Sequence, residues 1–160
     1  MNRRPLLLAA VAALVAAGIA LVIAGRGSFA GAEPRLAPDD AQLVARGEAV
    51  YRTHCAACHG AKLEGQPNWR ERRPDGLMPA PPHDDTGHTW HHADEVLFRI
   101  TKEGVGKVAN MPQYKSAMPV YDGVLSDRDI VAVLSWIKAQ WSPEIRKRHD
   151  EINRRYLDGR

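Results

Sequence analysis

The stretch "THCAACHG", residues 53–60, holds the only two cysteines of the chain, Cys55 and Cys58, and His59 follows the second one directly. Two cysteines separated by two residues can form a redox dithiol, supply half of a metal site, or serve as a covalent anchor for a larger group. The sequence around the motif has to decide between these three uses.

The first two uses find little support in the chain. A structural zinc site takes four ligands, often as two C-x-x-C pairs, and no further cysteine is present to complete a tetrathiolate. Zinc held by both cysteines and two of the seven histidines stays an alternative. A thioredoxin-like dithiol follows a strand in a βαβ unit, whereas this pair follows a helical pattern in a sequence without strand patterns.

Three stretches have helical periodicity. "DDAQLVARGEAVYRTHC", just before and into the motif, places Gly47 and Tyr51 on one helical face. "HADEVLFRITKEG" predicts a shorter second helix that ends at Gly104. "LSDRDIVAVLSWIKAQW" predicts a third helix with Ser126 as its N-cap and Asp129 three residues later. We therefore predict an all-α fold of three main helices.

Two long segments between these helices, 61–92 and 105–125, have neither helical nor strand periodicity. A domain of this size has too little apolar side-chain area to order such segments by itself, but a large flat cofactor would give them a body to wrap around. Together with the C-x-x-C-H pattern, this favours one haem c, bound by thioethers to Cys55 and Cys58, with His59 as the first axial ligand of the iron.

The sequence resembles the class I c-type cytochromes, in particular small bacterial ones, over about residues 39–141. The resemblance rests on the run G-x-x-x-Y-x-x-x-C-A-x-C-H-G that starts at Gly47, and on "MPVYDGVLSDRDIVAVLSWIK" near the C-terminal end. It implies a cytochrome c-like fold around the haem. It also implies that the first and last helices cross where Gly47 and Tyr51 meet Val133 and Trp136.

The resemblance further implies that the His59 ring donates a hydrogen bond to a proline carbonyl in the loop after the motif. Three prolines are candidates and the sequence does not choose between them: Pro79, Pro81 and Pro82.

The second axial ligand is sought among three methionines, each followed by a proline that stiffens the chain: Met78, Met111 and Met118. Met118 lies shortly before Ser126, in the stretch that is similar to the distal-ligand segment of the family. We predict Met118 as the ligand. Met111 is the alternative, with packing against the haem edge as its other role, and Met78 is assigned to the core or the surface.

Four histidines lie in the first irregular segment: His83, His88, His91 and His92. They could bind copper, or one of them could replace methionine on the iron, but histidines in polar loops are usually only solvated. Their role stays open at this point.

The N-terminal region has a membrane-like pattern. Residues 5–25 carry no charge and follow Arg3 and Arg4. A helix of this length spans about 30 Å, the thickness of a bilayer core, and the two arginines favour a cytoplasmic N-terminus. We predict residues 1–25 to be a membrane anchor. A cleaved signal peptide is the alternative, because "AGA" at residues 30–32 fits a cleavage site.

The remaining boundaries follow from composition. Residues 26–38, rich in Gly, Ala and Pro, predict a flexible linker to a cytochrome domain at 39–142. At Ser142 and Pro143 a new helical pattern of alternating charge begins, so residues 143–160 predict a solvated helical tail, or alternatively a docking surface. The formal net charge of +3 gives no support for a nucleic-acid partner.

Together these features predict a non-enzymatic one-electron carrier with His59 and Met118 as axial ligands. It would be a single-pass protein of the bacterial cytoplasmic membrane whose soluble domain lies in the periplasm. Its partners would be respiratory proteins such as a quinol-oxidising complex or a terminal oxidase. One alternative is an enzyme with a pentacoordinate haem that acts on a small molecule such as peroxide. The other is an electron-transfer subunit of a larger oxidase or dehydrogenase complex.

Overall fold

The computed structural model describes residues 34–159, and within this range the chain is helical with no β-strand. Its helices are α1 (Ala41–His54), α2 (Ala56–His59), α3 (Asp94–Glu103), α4 (Val105–Val108), α5 (Asp127–Gln140) and α6 (Pro143–Asp158), with a short 3₁₀ helix at Thr89–His91. The all-α prediction is confirmed for the described residues, and the three main helices of the sequence pattern are α1, α3 and α5.

Side-chain caps fix where the long helices begin. The carboxylate of Asp40 accepts the N–H groups of the first turn of α1. The Ser126 hydroxyl accepts the N–H of Asp129 at 3.2 Å and donates to its carboxylate at 2.6 Å. Ser142 accepts the N–H of Ile145 at 3.4 Å, directly before a proline at the start of α6. The N-caps predicted at Ser126 and Ser142 are confirmed.

Helices α1 and α5 cross at a glycine. A Cβ atom on Gly47 would overlap the carbonyl group of Ala132 and would lie 2.8 Å from the Cβ of Trp136, so only glycine permits this approach. The fully buried ring of Tyr51 lies one turn further on, with its centroid 4.6 Å from that of Trp136. The predicted contact of Gly47 and Tyr51 with Trp136 is confirmed. The backbone partner of Gly47 is Ala132, the neighbour of the predicted Val133.

The core lies along α5, which is buried around most of its circumference. Its buried residues are Ile130, Val131, Ala132, Val133, Leu134, Ser135, Ile137 and Lys138. A helix that is buried on so many sides must be covered by several other elements. In this domain α1 and α3 pack against it, and α6 adds an ion pair from Asp150 to the buried Lys138 at 2.6 Å.

The helix predicted for the tail is confirmed as α6, but the expectation that it is solvated fails for one face, which is packed on the domain. His149 is fully buried, and its Nε2 donates to the carbonyl of His92 at 3.0 Å. Asn153 accepts the N–H of Asp94 at 2.7 Å and returns a hydrogen bond to its carboxylate at 3.0 Å. The sequence pattern does not indicate this buried face, because the residues at its centre, His149 and Asn153, are polar. Their burial depends on partners that are distant in the sequence.

The predicted flexible linker is also corrected over the part that the structure describes. Leu36 is buried, and its N–H donates to the carboxylate of Asp94 at 2.9 Å. The N–H of Ala37 donates to the hydroxyl of Ser135 at 3.0 Å. An apolar side chain and two backbone hydrogen bonds therefore hold residues 34–38 on the domain.

The predicted anchor at 1–25 and the linker as far as residue 33 lie outside the described residues. Among residues 34–159, no helix has the length and apolar character that crossing a bilayer requires.

Candidate functional site

The C-x-x-C-H motif lies at the junction of α1 and α2. The N–H of Cys55 still bonds to the carbonyl of Tyr51 at 2.9 Å, so this residue closes α1. Its own carbonyl then accepts the N–H groups of Cys58 at 3.1 Å and His59 at 2.9 Å, which forms the single turn of α2. Residues three apart on a helix lie on the same side, so the two free thiols are neighbours.

The Cys55 thiol does not have the character of a redox-active cysteine. Burial, with Cys58 as a second cause, raises the pKa of Cys55 to about 11. Thiol–disulfide centres work with a lowered thiol pKa, which gives them a reactive thiolate. The site therefore agrees better with thiols that hold a covalently bound group.

His59 is buried and held in one orientation. Its Nδ1 lies 2.8 Å from the carbonyl oxygen of Pro81, and because a carbonyl only accepts, Nδ1 must carry the proton. The lone pair then lies on Nε2, which is the atom left for a metal. Burial lowers the pKa of His59, and the hydrogen bond to Pro81 opposes part of that effect. Of the three candidate prolines, the structure selects Pro81.

The loop after the motif folds back so that Pro81 reaches this ring. The N–H of Gly65 bonds to the carbonyl of His59 at 2.8 Å, with a φ of 68° that favours glycine. A Cβ at Gly65 would also lie 2.7 Å from the carbonyl carbon of Pro81, which is too close. A second backbone hydrogen bond lies close by, from the N–H of His83 to the carbonyl of Leu63 at 2.8 Å. These contacts hold Pro81 in place.

His83 is a residue of the site that the sequence left without a role. Its ring stacks on that of His59, with centroids 3.8 Å apart and planes 17° from parallel. The indole N–H of Trp141 donates to the carbonyl of His83 at 2.8 Å. Burial is the main cause that lowers the pKa of His83 well below its usual value, so the ring is neutral at pH 7. Nothing in the local sequence pattern could have indicated these contacts.

Tyr51 supports the motif from the helix crossing. Its hydroxyl donates to the carbonyl of Gly60 at 3.0 Å, and burial raises its pKa, which keeps the donor protonated. The edge of the ring also faces His83, with centroids 5.9 Å apart. The crossing of α1 and α5 is therefore connected directly to the residues around His59.

Met118 comes from a separate segment, which Tyr121 ties to the motif. The hydroxyl of Tyr121 donates to the carbonyl of His54 at 2.7 Å, one residue before Cys55. The N–H of Tyr121 bonds to the carbonyl of Thr101 at 3.2 Å, which fastens the same segment to α3. Tyr121 lies in the stretch that carries the family resemblance, but its hydrogen bond to His54 spans 67 positions and has no local sequence signal.

The three methionines differ in their surroundings. Met118 is partly buried, with its N–H bonded to the hydroxyl of Ser116 at 3.0 Å. Met111 is 37% exposed and belongs to the turn after α4, where its N–H bonds to the carbonyl of Gly106 at 2.8 Å. Met78 is partly buried in the other irregular segment. Ligation by Met118 stays a prediction.

The remaining histidines pack against aromatic rings. His88 stacks on Trp69 at 5.3 Å between centroids, and His91 stacks on Trp90 at 3.7 Å. Among residues 34–159, no group of three or more His, Cys, Asp or Glu side chains is arranged to hold a metal ion. In this part of the chain, the side chains that a copper site or the alternative zinc site would need are not brought together.

The residues present fit a covalently attached haem. Two free thiols lie one helical turn apart, and the next residue is a buried imidazole whose Nδ1 is engaged and whose Nε2 is available. A ligating histidine is commonly held in this way by a backbone carbonyl behind it. The donor set is therefore a pair of thioether anchors followed by one oriented nitrogen.

A family model for cytochrome c matches residues 44–141, which is more than half of the chain. The match runs from α1 through the motif and both irregular segments to the end of α5, and α6 lies beyond it. No curated protein and no solved structure matches the chain. The protein belongs to the cytochrome c family of haem-based electron carriers, which bind haem c covalently, and Cys55, Cys58 and His59 supply its attachment motif.

Proposed function

We propose that the protein is a one-electron carrier in which His59 and Met118 are the two axial ligands of the haem iron. Whether a c-type haem carries electrons or acts on a small molecule depends largely on whether a second side chain occupies the iron. The observation that carries the proposal is the hydrogen bond from the Tyr121 hydroxyl to the carbonyl of His54, 2.7 Å long. It holds the segment of Met118 beside the attachment motif.

Each residue has a distinct task in this proposal. Cys55 and Cys58 hold the cofactor, and when bound, the haem iron supplies the centre that takes up and releases one electron. His59 presents Nε2 in a fixed direction, because its Nδ1 is bonded to Pro81. Met118 would close the remaining position to water and small molecules. A thioether there favours the reduced state compared with a second histidine, which raises the reduction potential.

We also propose that residues 1–25 tether the domain to the bacterial cytoplasmic membrane, with residues after Arg26 in the periplasm. The support is the uncharged run at 5–25 behind two arginines. A tether would raise the effective concentration of the domain near membrane-bound redox partners. Quinol-oxidising complexes and terminal oxidases are the partners that this location suggests.

The ligand proposal is tested by near-infrared absorption of the oxidised holoprotein. A methionine–iron bond in ferric haem gives a weak charge-transfer band there. The band is expected in the wild type at neutral pH and should be absent in Met118→Ala. A wild-type protein without the band and with a high-spin spectrum would contradict the carrier proposal and favour the enzyme alternative.

Met111→Ala is the matched control for this experiment. Met111 also precedes a proline and lies in the same irregular segment, but it is 37% exposed. The band should persist in this variant. If it disappears in Met111→Ala and persists in Met118→Ala, the ligand is Met111.

The membrane proposal is tested by fractionation of cells that export the full chain. The haem-containing protein should remain with the membranes after an alkaline wash, and its intact mass should include residues 1–33. A control chain that starts at residue 34 behind an unrelated cleavable leader should be found in the soluble fraction. Soluble full-chain protein that lacks the N-terminal segment would show a cleaved leader instead.

A further inference from the structure

The ring of His83 lies against the ring of the haem ligand His59. Their centroids are 3.8 Å apart and their planes differ by 17°, so the two imidazoles make a nearly parallel stack. The Nδ1 atom of His83 is buried and has no hydrogen-bond partner among the described residues. A buried polar atom without a partner is costly and calls for an explanation.

A hydrogen bond alone does not fix the plane of the His59 ring. The bond from Nδ1 to the Pro81 carbonyl restrains one atom, and the ring can still tilt about that contact. A flat neighbour against the ring face removes this freedom, because tilting would drive the two rings into each other. His83 supplies that flat surface.

His83 is itself held firmly enough to serve this purpose. Its N–H bonds to the carbonyl of Leu63, and its carbonyl accepts the indole N–H of Trp141, both at 2.8 Å. Both partners are buried, Leu63 to 6% and Trp141 to 3% exposure. The edge of the fully buried Tyr51 ring approaches His83 at 5.9 Å between centroids. Backbone and ring are therefore both restrained.

We propose that His83 is a positioning residue of the haem site, whose flat ring fixes the plane of the His59 imidazole. In low-spin ferric haem, the plane of an axial imidazole influences which iron d orbital holds the unpaired electron. That choice sets the g values in electron paramagnetic resonance and the spread of the four haem-methyl NMR shifts. The proposal rests on His59 being the ligand, as proposed above. The g values and methyl shifts report on it in the low-spin form, and the contact between the two rings reports on it whatever the second axial ligand is.

The test compares three variants of the oxidised holoprotein with the wild type. His83→Leu keeps the bulk of the side chain but removes the flat face, and it should change both the g values and the pattern of methyl shifts. His83→Phe keeps a flat ring without nitrogen and should restore the wild-type pattern. His88→Leu is the control, because its ring is exposed and stacks on Trp69 instead, and it should change neither.

Two results would overturn the proposal. The first is a folded His83→Leu holoprotein with wild-type g values and methyl shifts, which would leave His83 only a packing role. The second is an equal change in His83→Phe and His83→Leu, which would mean that the flat face is not the property that matters. A measurement on the wild type needs no variant to fold: nuclear Overhauser contacts between the ring protons of His59 and His83 should be present, and their absence rejects the stack. Absence of the near-infrared band from the wild type would refute ligation by Met118 without affecting these contacts.

Discussion

The surroundings of His59 and of Met118 are built in different ways. On the side of His59, the imidazole ring is buried, bonded to Pro81 and stacked on His83, and the loop behind it is tied by short backbone hydrogen bonds. On the side of Met118, the segment is fastened at Tyr121, while the residues before it make mostly local turns. Many contacts within the protein therefore order the surroundings of His59, whereas few such contacts hold the segment of Met118.

Exposed apolar side chains show the same difference. The large exposed hydrophobic residues of the described chain are Met111, Val120, Val124 and Leu157, and the first three lie in the segment around Met118. Apolar area that stays in water contributes nothing to holding a segment in place. We conclude that contacts within the protein already fix the orientation of His59. A bond from Met118 to the iron would be a main restraint on the segment that carries Met118.

The largest expected effect comes from removing the anchors that both sides share. The double variant Cys55→Ala, Cys58→Ala should carry no covalently bound haem, because no other cysteine is present to form a thioether. Met118→Ala is the control and should keep its haem. Intact mass and haem staining after a denaturing gel measure the difference. Covalent haem in the double variant would refute the attachment site.

Trp141→Phe should weaken the His59 side specifically. It removes the indole N–H that bonds to the carbonyl of His83 and leaves that buried group without its donor, at a cost of about 1–3 kcal/mol of the free energy of unfolding. The near-infrared band should remain at neutral pH. Denaturant unfolding measures the loss. Trp90→Phe is the control, since its indole bonds to an exposed carbonyl at 3.3 Å, and it should cost clearly less.

Tyr121→Phe should weaken the Met118 side instead. It deletes the hydroxyl that bonds to the carbonyl of His54, which is worth about 0.5–1.5 kcal/mol. The near-infrared band should therefore be lost at a lower denaturant concentration than in the wild type, before the helices unfold. Tyr114→Phe, in the same segment with its ring under Arg72, is the control. Equal band stability in Tyr121→Phe and the wild type would remove the main support for placing Met118 at the iron.

The sequence predicts the parts of this site that depend on near neighbours. The helices and the N-caps at Ser126 and Ser142 follow from residues within a few positions of each other. The same holds for the motif Cys55–His59, whose five residues form a single turn. The approach at Gly47 could be inferred as well, through the family resemblance, because a close helix crossing demands a residue without a side chain.

The contacts that hold His83 behind His59, and the segment of Met118 beside the motif, could not be predicted in this way. The bond from Tyr121 to His54 spans 67 positions, and that from Trp141 to His83 spans 58. Neither has a local pattern: a buried tyrosine or tryptophan usually finds a hydrogen-bond partner, but the neighbouring sequence does not indicate which one. Pro81 could be selected from its neighbouring prolines only after the turn at Gly65 was known. Sequence periodicity predicts elements, and tertiary contacts then decide which side chains meet.

The smallest expected effect concerns the pH dependence of the His59 side, through α6. His149 is fully buried, with its ring 5.0 Å from that of Trp141, which in turn holds His83. Burial and then Lys138 lower the pKa of His149 below 6.5, while Asp94 opposes them. The unfolded chain therefore takes up a proton before the folded one does. The contribution of His149 to stability is present in full above pH 6.5 and is lost as the pH falls towards its folded-state pKa.

His149→Gln keeps an N–H donor for the carbonyl of His92 but carries no titrating group. The free energy of unfolding of this variant should fall less steeply between about pH 7 and about pH 5 than that of the wild type, by at most about 1.4 kcal/mol per pH unit for one proton. Other buried histidines contribute to this pH dependence equally in the variant and the wild type. The difference between the two slopes therefore isolates the contribution of His149. Parallel curves for His149→Gln and the wild type would mean that α6 does not couple the His59 side to pH.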